Sequence, residues 1–529
     1  MSDRMRMSGL VSGLDTESIV SALVSAASYK TTKLKNTQKK LEWKQDTWKS
    51  VNSEVYSLYS GKLDNLRYEG NYNAKKATLD SDVATVSADN NAVLGAQSLE
   101  VHQMATSGYL TGGQVKVGEN FASDSTTFFD LTHNEFTLDE IENGVTLKVK
   151  VGGVDKEVVV KGDDTMAAIA DKFSNIGLSA NYDSRTGRFF LASKSSGEAA
   201  NFEIEYGENS ESAQKVIEKL GLKYEYEEDA SGKRTYTSDS GAVKIQGQNA
   251  KIVLNGAEFE SSSNTFAVNG INITVKGVSD VDPLDSTKFK ASTITTSVDV
   301  DRIYESIKDF FKSYNELINK LDTYYNADSA KGYDVLTDEQ KEAMSDEEVE
   351  TWEKKIKDSL LRRDDTLNTL INAFKDNLSK SYQVNGQSYS LSSFGIATLS
   401  YFEAKDNEHG MYHIDGDPDD DSTKSKDDAL KKMIASDPET TSKFFSQLFK
   451  GVYTTLSKEM RYIEGTRSAM KIYDDKALKT EYDKLTSEIK LQEEKVSDME
   501  DKYYDKFTAM EKALSKLNSQ SSSFASLLG

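Results

Sequence analysis

The sequence predicts an α+β multidomain protein in which long terminal α-helices form a coiled-coil or helix-bundle leg, with antiparallel β-rich head domains inserted between them. Three observations carry this. Residues 14–60 and 466–528 contain neither Gly nor Pro and repeat apolar residues at helical spacing. Residues 77–290 alternate apolar and polar side chains and are punctuated by Asn-Gly dipeptides, which favour tight hairpin turns. Beyond residue 297 the apolar period returns to threes and fours. At about 150 residues per domain, the 529 residues imply three or four domains, and only three prolines stand in the way of long helices.

At the N-terminal end, Asp15 is placed to cap a helix and Glu17 to lie in its first turn, where negative charge is favoured. Leu34, Leu41, Trp48 and Val55 recur every seven residues, with Val51 and Leu58 on a companion row and Thr37 and Lys44 weakening it. In the β-rich middle, Val145, Leu147, Val149 and Val151 alternate with Thr146, Lys148 and Lys150, and Ile271, Ile273 and Val275 alternate with Asn272 and Thr274. Asn143-Gly144, Asn255-Gly256 and Asn269-Gly270 read as hairpin turns. One short helix is expected at 165–173, with Met166, Ile169, Ala170 and Phe173 on one face. Three amphipathic helical segments follow: Ile303, Ile307, Phe310, Phe311, Tyr314, Leu317, Ile318 and Leu321; then Leu360, Leu361, Leu367, Leu370, Ile371, Phe374 and Leu378; then Phe444, Phe445, Leu448, Phe449, Val452 and Leu456. A hairpin is expected over 389–401, after Asn385-Gly386.

The C-terminal stripe is the strongest in the chain. Tyr482, Ile489, Val496, Tyr503, Met510 and Leu517 form an unbroken seven-residue series, with Leu478, Leu485 and Met499 on the companion row and Gln492 as its polar member. The resulting division is a terminal coiled-coil region at 1–42 and 475–529, ordered on assembly. A helical leg domain spans 43–76 and 291–474, with a hairpin near 383–402. A β-rich head domain spans 77–115 and 235–290, and a second β-rich head domain, 116–234, is inserted in the first. Order on assembly is expected because burying six seam residues offsets only part of the entropy lost in ordering so long a segment. Copies of the chain are therefore the first expected partner, and the mixed, partly aromatic seam specifies no subunit number.

Chemistry is sparse. No cysteine is present, so disulfides, thiolate metal sites and a Cys nucleophile are excluded. His409 and His413 stand four apart without the Glu of a zincin helix, and neither a phosphate-binding P-loop nor a nucleophile elbow occurs. The acidic tract 415–421 has Asp420 where a calcium loop requires Gly, and is read as a solvated loop. The expectation is a non-enzyme with no catalytic residues, no cofactor and no metal. A net charge of −22 argues against nucleic acid. No segment is long and apolar enough to span a membrane, and residues 19–27 lack the flanks of a cleaved signal. Residues 30–49 hold seven Lys and two acids, and 334–353 hold nine acids and one Lys; two solvated faces are favoured over mutual contact, since exposed ion pairs are weak.

Residues 9–20 (GLVSGLDTESIV) resemble the opening of the bacterial flagellar filament cap family, the hook-associated protein 2 family, with Ser12, Gly13, Leu14 and Asp15 as the family motif. The segments 39–43, 336–352 with Leu360, Leu361 and Asp364, and 503–524 are similar to that family as well, and 165–191 resembles repeats of flagellin-type proteins. The acidic tract 415–421 and residues 107–134 depart from the family pattern. The resemblance implies a closed ring of several copies at the flagellar tip that retains exported flagellin and promotes its folding and polymerisation. It implies flagellin and the hook–filament junction proteins as partners, and an export chaperone bound to the C-terminal helix. Location would be extracellular, at the flagellum tip, after export through the flagellar type III route without a cleaved signal; a surface-adhesion role is left open. The assembly residues would be Leu34, Leu41, Trp48, Val55, Leu478, Tyr482, Leu485, Ile489, Val496, Tyr503, Met510 and Leu517. The alternatives are flagellin itself or a junction protein, which lack the 12–15 motif and the 512–517 ending, and a coiled-coil surface adhesin.

Overall fold

The computed structural model describes residues 12–133, 135–204, 206–230, 234–237, 241–283, 285–400, 402–405 and 408–528. The chain forms two compact units: one from residues 1–72 and 300–529, the other from residues 73–299.

The first unit is helical. Its N-terminal helix runs Thr16–Ser57 and continues through one wider π-type turn, Leu58–Leu63. Asp15 caps it, its carboxylate accepting from the Ser18 N–H at 3.0 Å. Helix Val300–Asn326 buries every member of its predicted stripe, from Ile303 to Leu321. The second predicted segment is interrupted: Ser359–Leu361 is a 3-10 turn, Leu360 is only half-buried, and the helix proper is Asp365–Leu378. Asp364 causes the restart, since its carboxylate accepts from the N–H groups of Thr366 and Leu367 at 3.0 and 3.2 Å. Helix Pro438–Glu459 begins at a proline, whose missing N–H is no loss at a first helical position, and is capped by Asp437. Its stripe meets the others in an aromatic cluster: Phe310 lies 4.4 Å edge-on to Phe449, Phe394 stacks on Phe444 at 4.6 Å, and Tyr314 meets Phe374 at 5.7 Å. The expected hairpin occurs one step earlier than the 389–401 run, as Tyr382–Val384 paired with Gln387–Tyr389 around Asn385-Gly386. Tyr401 lies outside the described residues.

The second unit holds two cores. One is enclosed by a five-stranded antiparallel sheet, in the order Lys75–Leu79, Ser292–Val298, Gly95–Gln103, Ala250–Leu254, Ala257–Ser261, and by a three-stranded sheet that includes Ile271–Val275. Leu99, Val101, Ile252, Ile271, Ile273 and Ile294 fill it. The other core comprises residues between Leu110 and Ala242. A four-stranded sheet, Val243–Ile245, Tyr109–Thr111, Arg188–Ser193, Leu178–Asp183, and the Val145–Val151/Val154–Val160 ladder surround it. Helix Met166–Asn175, capped by Thr165, adds Met166, Ile169, Ala170 and Phe173, all buried. Asn255-Gly256 and Asn269-Gly270 turn hairpins with both residues at positive φ. Asn143-Gly144 does not. Asn143 ends helix Leu138–Asn143, and Gly144 at φ +88° terminates it, so the same dipeptide serves here as a helix stop.

Lys244 is the anomaly of this unit. On the edge strand Val243–Ile245 it points inward, almost fully buried, with its ammonium 3.1 Å over the Phe202 ring and no hydrogen-bond partner among the described residues. Burial lowers its pKa to about 7, against a small opposing pull from Glu203. An inward charge guards an edge strand against pairing with another chain, and here it does so at the expense of stability. Between pH 7 and the ordinary lysine range the unfolded chain binds the extra proton, so the stability of this unit rises with pH through that window. Lys244→Met is expected to stabilise the unit by roughly 1–3 kcal/mol at neutral pH and to flatten this dependence. Urea unfolding at pH 6 and pH 9 checks both, and equal slopes in the two proteins would refute the assignment.

Candidate assembly interface

The residues predicted to carry assembly lie on the two terminal helices, and both helices belong to the first unit. The C-terminal helix runs Asp475–Leu528. It packs antiparallel along the N-terminal helix, as four contacts, two between the helices and one at each of their flanks, show by stepping up one segment and down the other. The Asn52 carboxamide accepts from the Ile472 N–H at 2.9 Å, and Gln38 donates to the Thr486 hydroxyl at 2.6 Å. Lys35 pairs with Glu493 at 2.7 Å, and Ser12 meets Glu511.

On the N-terminal helix Leu41, Trp48 and Val55 are buried and Leu34 is half-buried. Trp48 stacks on Tyr473 at 5.6 Å. The companion row differs from the expected one. Val51 and Leu58 are buried, but the row that faces the partner helix is Val24, Thr31, Gln38, Gln45 and Asn52, with Val20 and Ala27 extending the leucine row backward. Thr37 and Lys44 are off this row: Thr37 is exposed, and Lys44 reaches Asp364 at 2.9 Å. The row escaped sequence reading because Thr, Gln and Asn stand where an apolar stripe is sought.

On the C-terminal helix Leu485 and Ile489 are buried, and Leu478, Tyr482, Val496, Tyr503 and Met510 are half-buried. Leu517 is 60% exposed and Met499 faces outward. The covered face instead passes through Glu500, Tyr503, Phe507 and Glu511. An α-helix of 3.6 residues per turn drifts about 20° per heptad against a 3.5 repeat, which carries Leu517 off the inner face.

The 12–15 motif has a mechanical reading. The Ser12 N–H donates to Glu511 Oε2 at 3.2 Å, and its hydroxyl donates to Oε1. Gly13 turns the chain at φ +69°, a left-handed conformation open to glycine, Leu14 is exposed, and Asp15 starts the helix. Glu511 is only 3% exposed, although residues 509, 512 and 513 beside it are exposed. Nothing in its heptad marked it. Residues 9–11 of the motif lie outside the described residues.

The basic and acidic segments do meet, contrary to the expectation of two separate solvated faces. Lys40 reaches Asp334 at 3.0 Å and Asn36 donates to the Val335 carbonyl at 3.5 Å, and just beyond the acidic segment Lys357 lies 4.8 Å over the Trp43 ring. The acidic tract is clamped rather than free: Lys308 bridges Asp417 and Asp419 at 2.6 Å each, and His413 Nδ1 meets Asp420 at 2.6 Å. Although burial opposes its charge, the two carboxylates hold Lys308 above its ordinary pKa. Among the described residues no cluster of three or more His, Asp or Glu is placed to hold a metal, and no helix is long and apolar enough to cross a membrane.

Comparison with known proteins agrees with the helical ends. Residues 12–108 match the family model described as flagellar hook-associated protein 2 N-terminus, and residues 247–519 match that of its C-terminus. The interval between them holds the second core of the β-rich unit, from Leu110 to Ala242. Flagellar hook-associated protein 2 of Halalkalibacterium halodurans is 24% identical over 82% of this chain and 78% of its own length. That of Escherichia coli K12 is 22% identical over 97% of this chain and 96% of its own. The crystal structure of the flagellar cap protein FliD D1-D2-D3 domains from Escherichia coli superposes with a TM-score of 0.44 at 17% identity, covering 78% of this chain and 99% of that one. With the two family models spanning its helical ends and the flanks of its β-rich unit, the chain belongs to the flagellar hook-associated protein 2 family, the filament caps, which are structural proteins and not enzymes.

Proposed function

We propose that this chain caps the distal tip of the flagellar filament as a closed ring of several copies, holding exported flagellin beneath it and promoting its folding and polymerisation. The observation that carries the reading is the terminal helix pair. Two helices cover only one face of each other, and outside that face Leu23, Tyr29, Leu491, Leu517 and Phe524 stand exposed, apolar surface that a neighbouring chain would bury. Neighbouring copies, flagellin or the junction proteins would cover them, and order in the distal helices would then depend on assembly. In this reading Leu41, Trp48, Val55, Leu485 and Ile489, buried within one chain, hold the helix pair together, and the half-buried or exposed members of the two rows, Leu34, Leu478, Tyr482, Val496, Tyr503, Met510 and Leu517, are the assembly residues that neighbours would cover. The C-terminal helix is also the segment an export chaperone would hold before passage through the type III channel, and the assembled ring would be extracellular.

Deletion of the gene tests the proposal. Unpolymerised flagellin is expected to accumulate in the medium and filaments to be absent or short, with recovery on supplying the intact chain. Filaments of normal length in the deleted strain would overturn it.

A further inference from the structure

We infer that Glu511 is a positioning residue that fixes the register of the distal part of the terminal helix pair, with Ser12 of the N-terminal motif among its donors. The apolar rows alone do not specify register. Val20, Ala27 and Leu34 face a ladder of Ile489, Val496 and Tyr503, and sliding one helix by a heptad, about 10 Å at 1.5 Å per residue, again sets apolar rows against each other. A buried carboxylate breaks that degeneracy, because it must meet donors wherever it comes to rest.

In the observed register Glu511 receives the Ser12 N–H on one oxygen and the Ser12 hydroxyl on the other. The turn at Gly13 presents both donors, and the Asp15 cap fixes where the helix starts relative to them. A one-heptad slip in one direction places Glu511 beside Ile19 and Val20, whose side chains carry no donor and whose N–H groups lie inside the helix. The distal seam is otherwise weak, so one satisfied buried acid outweighs the difference between registers. The buried Asn52–Ile472 bond and the Trp48–Tyr473 stack hold the same register at the proximal end of the pair, whereas the pairs further out, Gln38–Thr486 and Lys35–Glu493, are exposed and so screened by water, which leaves the distal part to Glu511.

The absence of native cysteine makes the test direct. Thr16, buried, and Thr508, half-buried, are opposed in the observed register, whereas Ser515 lies one heptad further along. In the full-length chain, T16C with T508C is expected to cross-link with a short bis-maleimide roughly tenfold faster than T16C with S515C, as a satisfied buried acid favours one register over its slipped neighbour. Adding Glu511→Ala is expected to collapse that preference and bring the slipped pair to a comparable rate. Glu511→Gln, which still accepts from Ser12, is expected to restore it. An unchanged preference in Glu511→Ala, or no cross-link between residues 16 and 508 with Glu511 in place, would overturn the inference. The reading is taken on the isolated chain in solution, so it stands or fails separately from the capping role.

Discussion

Truncation after Lys502 is expected to abolish retention of flagellin at the filament tip while leaving both compact units folded. The removed segment contributes little to either core. Beyond Glu511 its described side chains are mostly exposed, with Leu517 at 60% and Phe524 at 67%, whereas the aromatic cluster around Phe310 and Phe449 draws nothing from it. Its apolar groups are surplus to the single chain, which is why their loss should register in assembly rather than in stability. The truncated chain should show an unfolding midpoint within a few tenths of a molar urea of the intact one, in keeping with surface changes of about 0.5 kcal/mol. A strain carrying it should release flagellin to the medium as the deleted strain does. Hydrogen exchange supplies the second arm: in dilute intact protein, amides from 503 to 517 are expected to exchange faster than those of Val300–Asn326 and to gain protection on assembly. Normal filaments from the truncated strain, or strong protection of 503–517 in the dilute chain, would contradict this account.

The contrast between those two regions shows what the amino-acid pattern does and does not disclose. In helix Val300–Asn326 every residue of the expected stripe is buried and only the buried Tyr304 went unread, because a wide apolar stripe at threes and fours has one solution, burial on a single face. The same holds for the alternation of Val145–Val151 and for helix Met166–Asn175. Where a local signal serves two structures, the pattern misled: Asn143-Gly144 has the chemistry of a hairpin turn and closes a helix instead, since both need a residue at positive φ. Long-range facts were hidden for a different reason. That Lys40 meets Asp334 depends on the path of the chain over nearly 300 residues, and an ion pair leaves no periodic trace. Glu511 and the Thr31–Gln38–Gln45 row were missed because polar residues that specify a helix pair break the apolar pattern by which such pairs are sought. The Ser12–Asp15 motif was recognisable by resemblance, but its work as a turn, a cap and a donor to Glu511 became visible only from the geometry.

The largest effect on stability should come from Phe310→Ala. Phe310 is fully buried, lies 4.4 Å edge-on to Phe449, 5.3 Å from Phe311 and 6.4 Å from Tyr314, and sits where three helices bring their stripes together. Removing its ring loses the transfer energy of the aromatic group and leaves a void that neighbours in regular helices can close only partly, about 3–5 kcal/mol in comparable cores. Against a total of about 5–15 kcal/mol for a domain, that is a large share. Urea unfolding should show the helical transition moved to lower denaturant, while the transition of the β-rich unit, built on a separate core, stays in place. Phe310→Leu should recover more than half of the loss, because most of the volume returns without the ring. Phe524→Ala, exposed on the distal helix, should leave both transitions unmoved and weaken only assembly, so the pair separates what holds one molecule together from what joins it to others. A shift of the β-rich transition in Phe310→Ala would mean that the two units unfold as one, and a shift below 1 kcal/mol in the helical transition would mean that the cluster repacks around the missing ring.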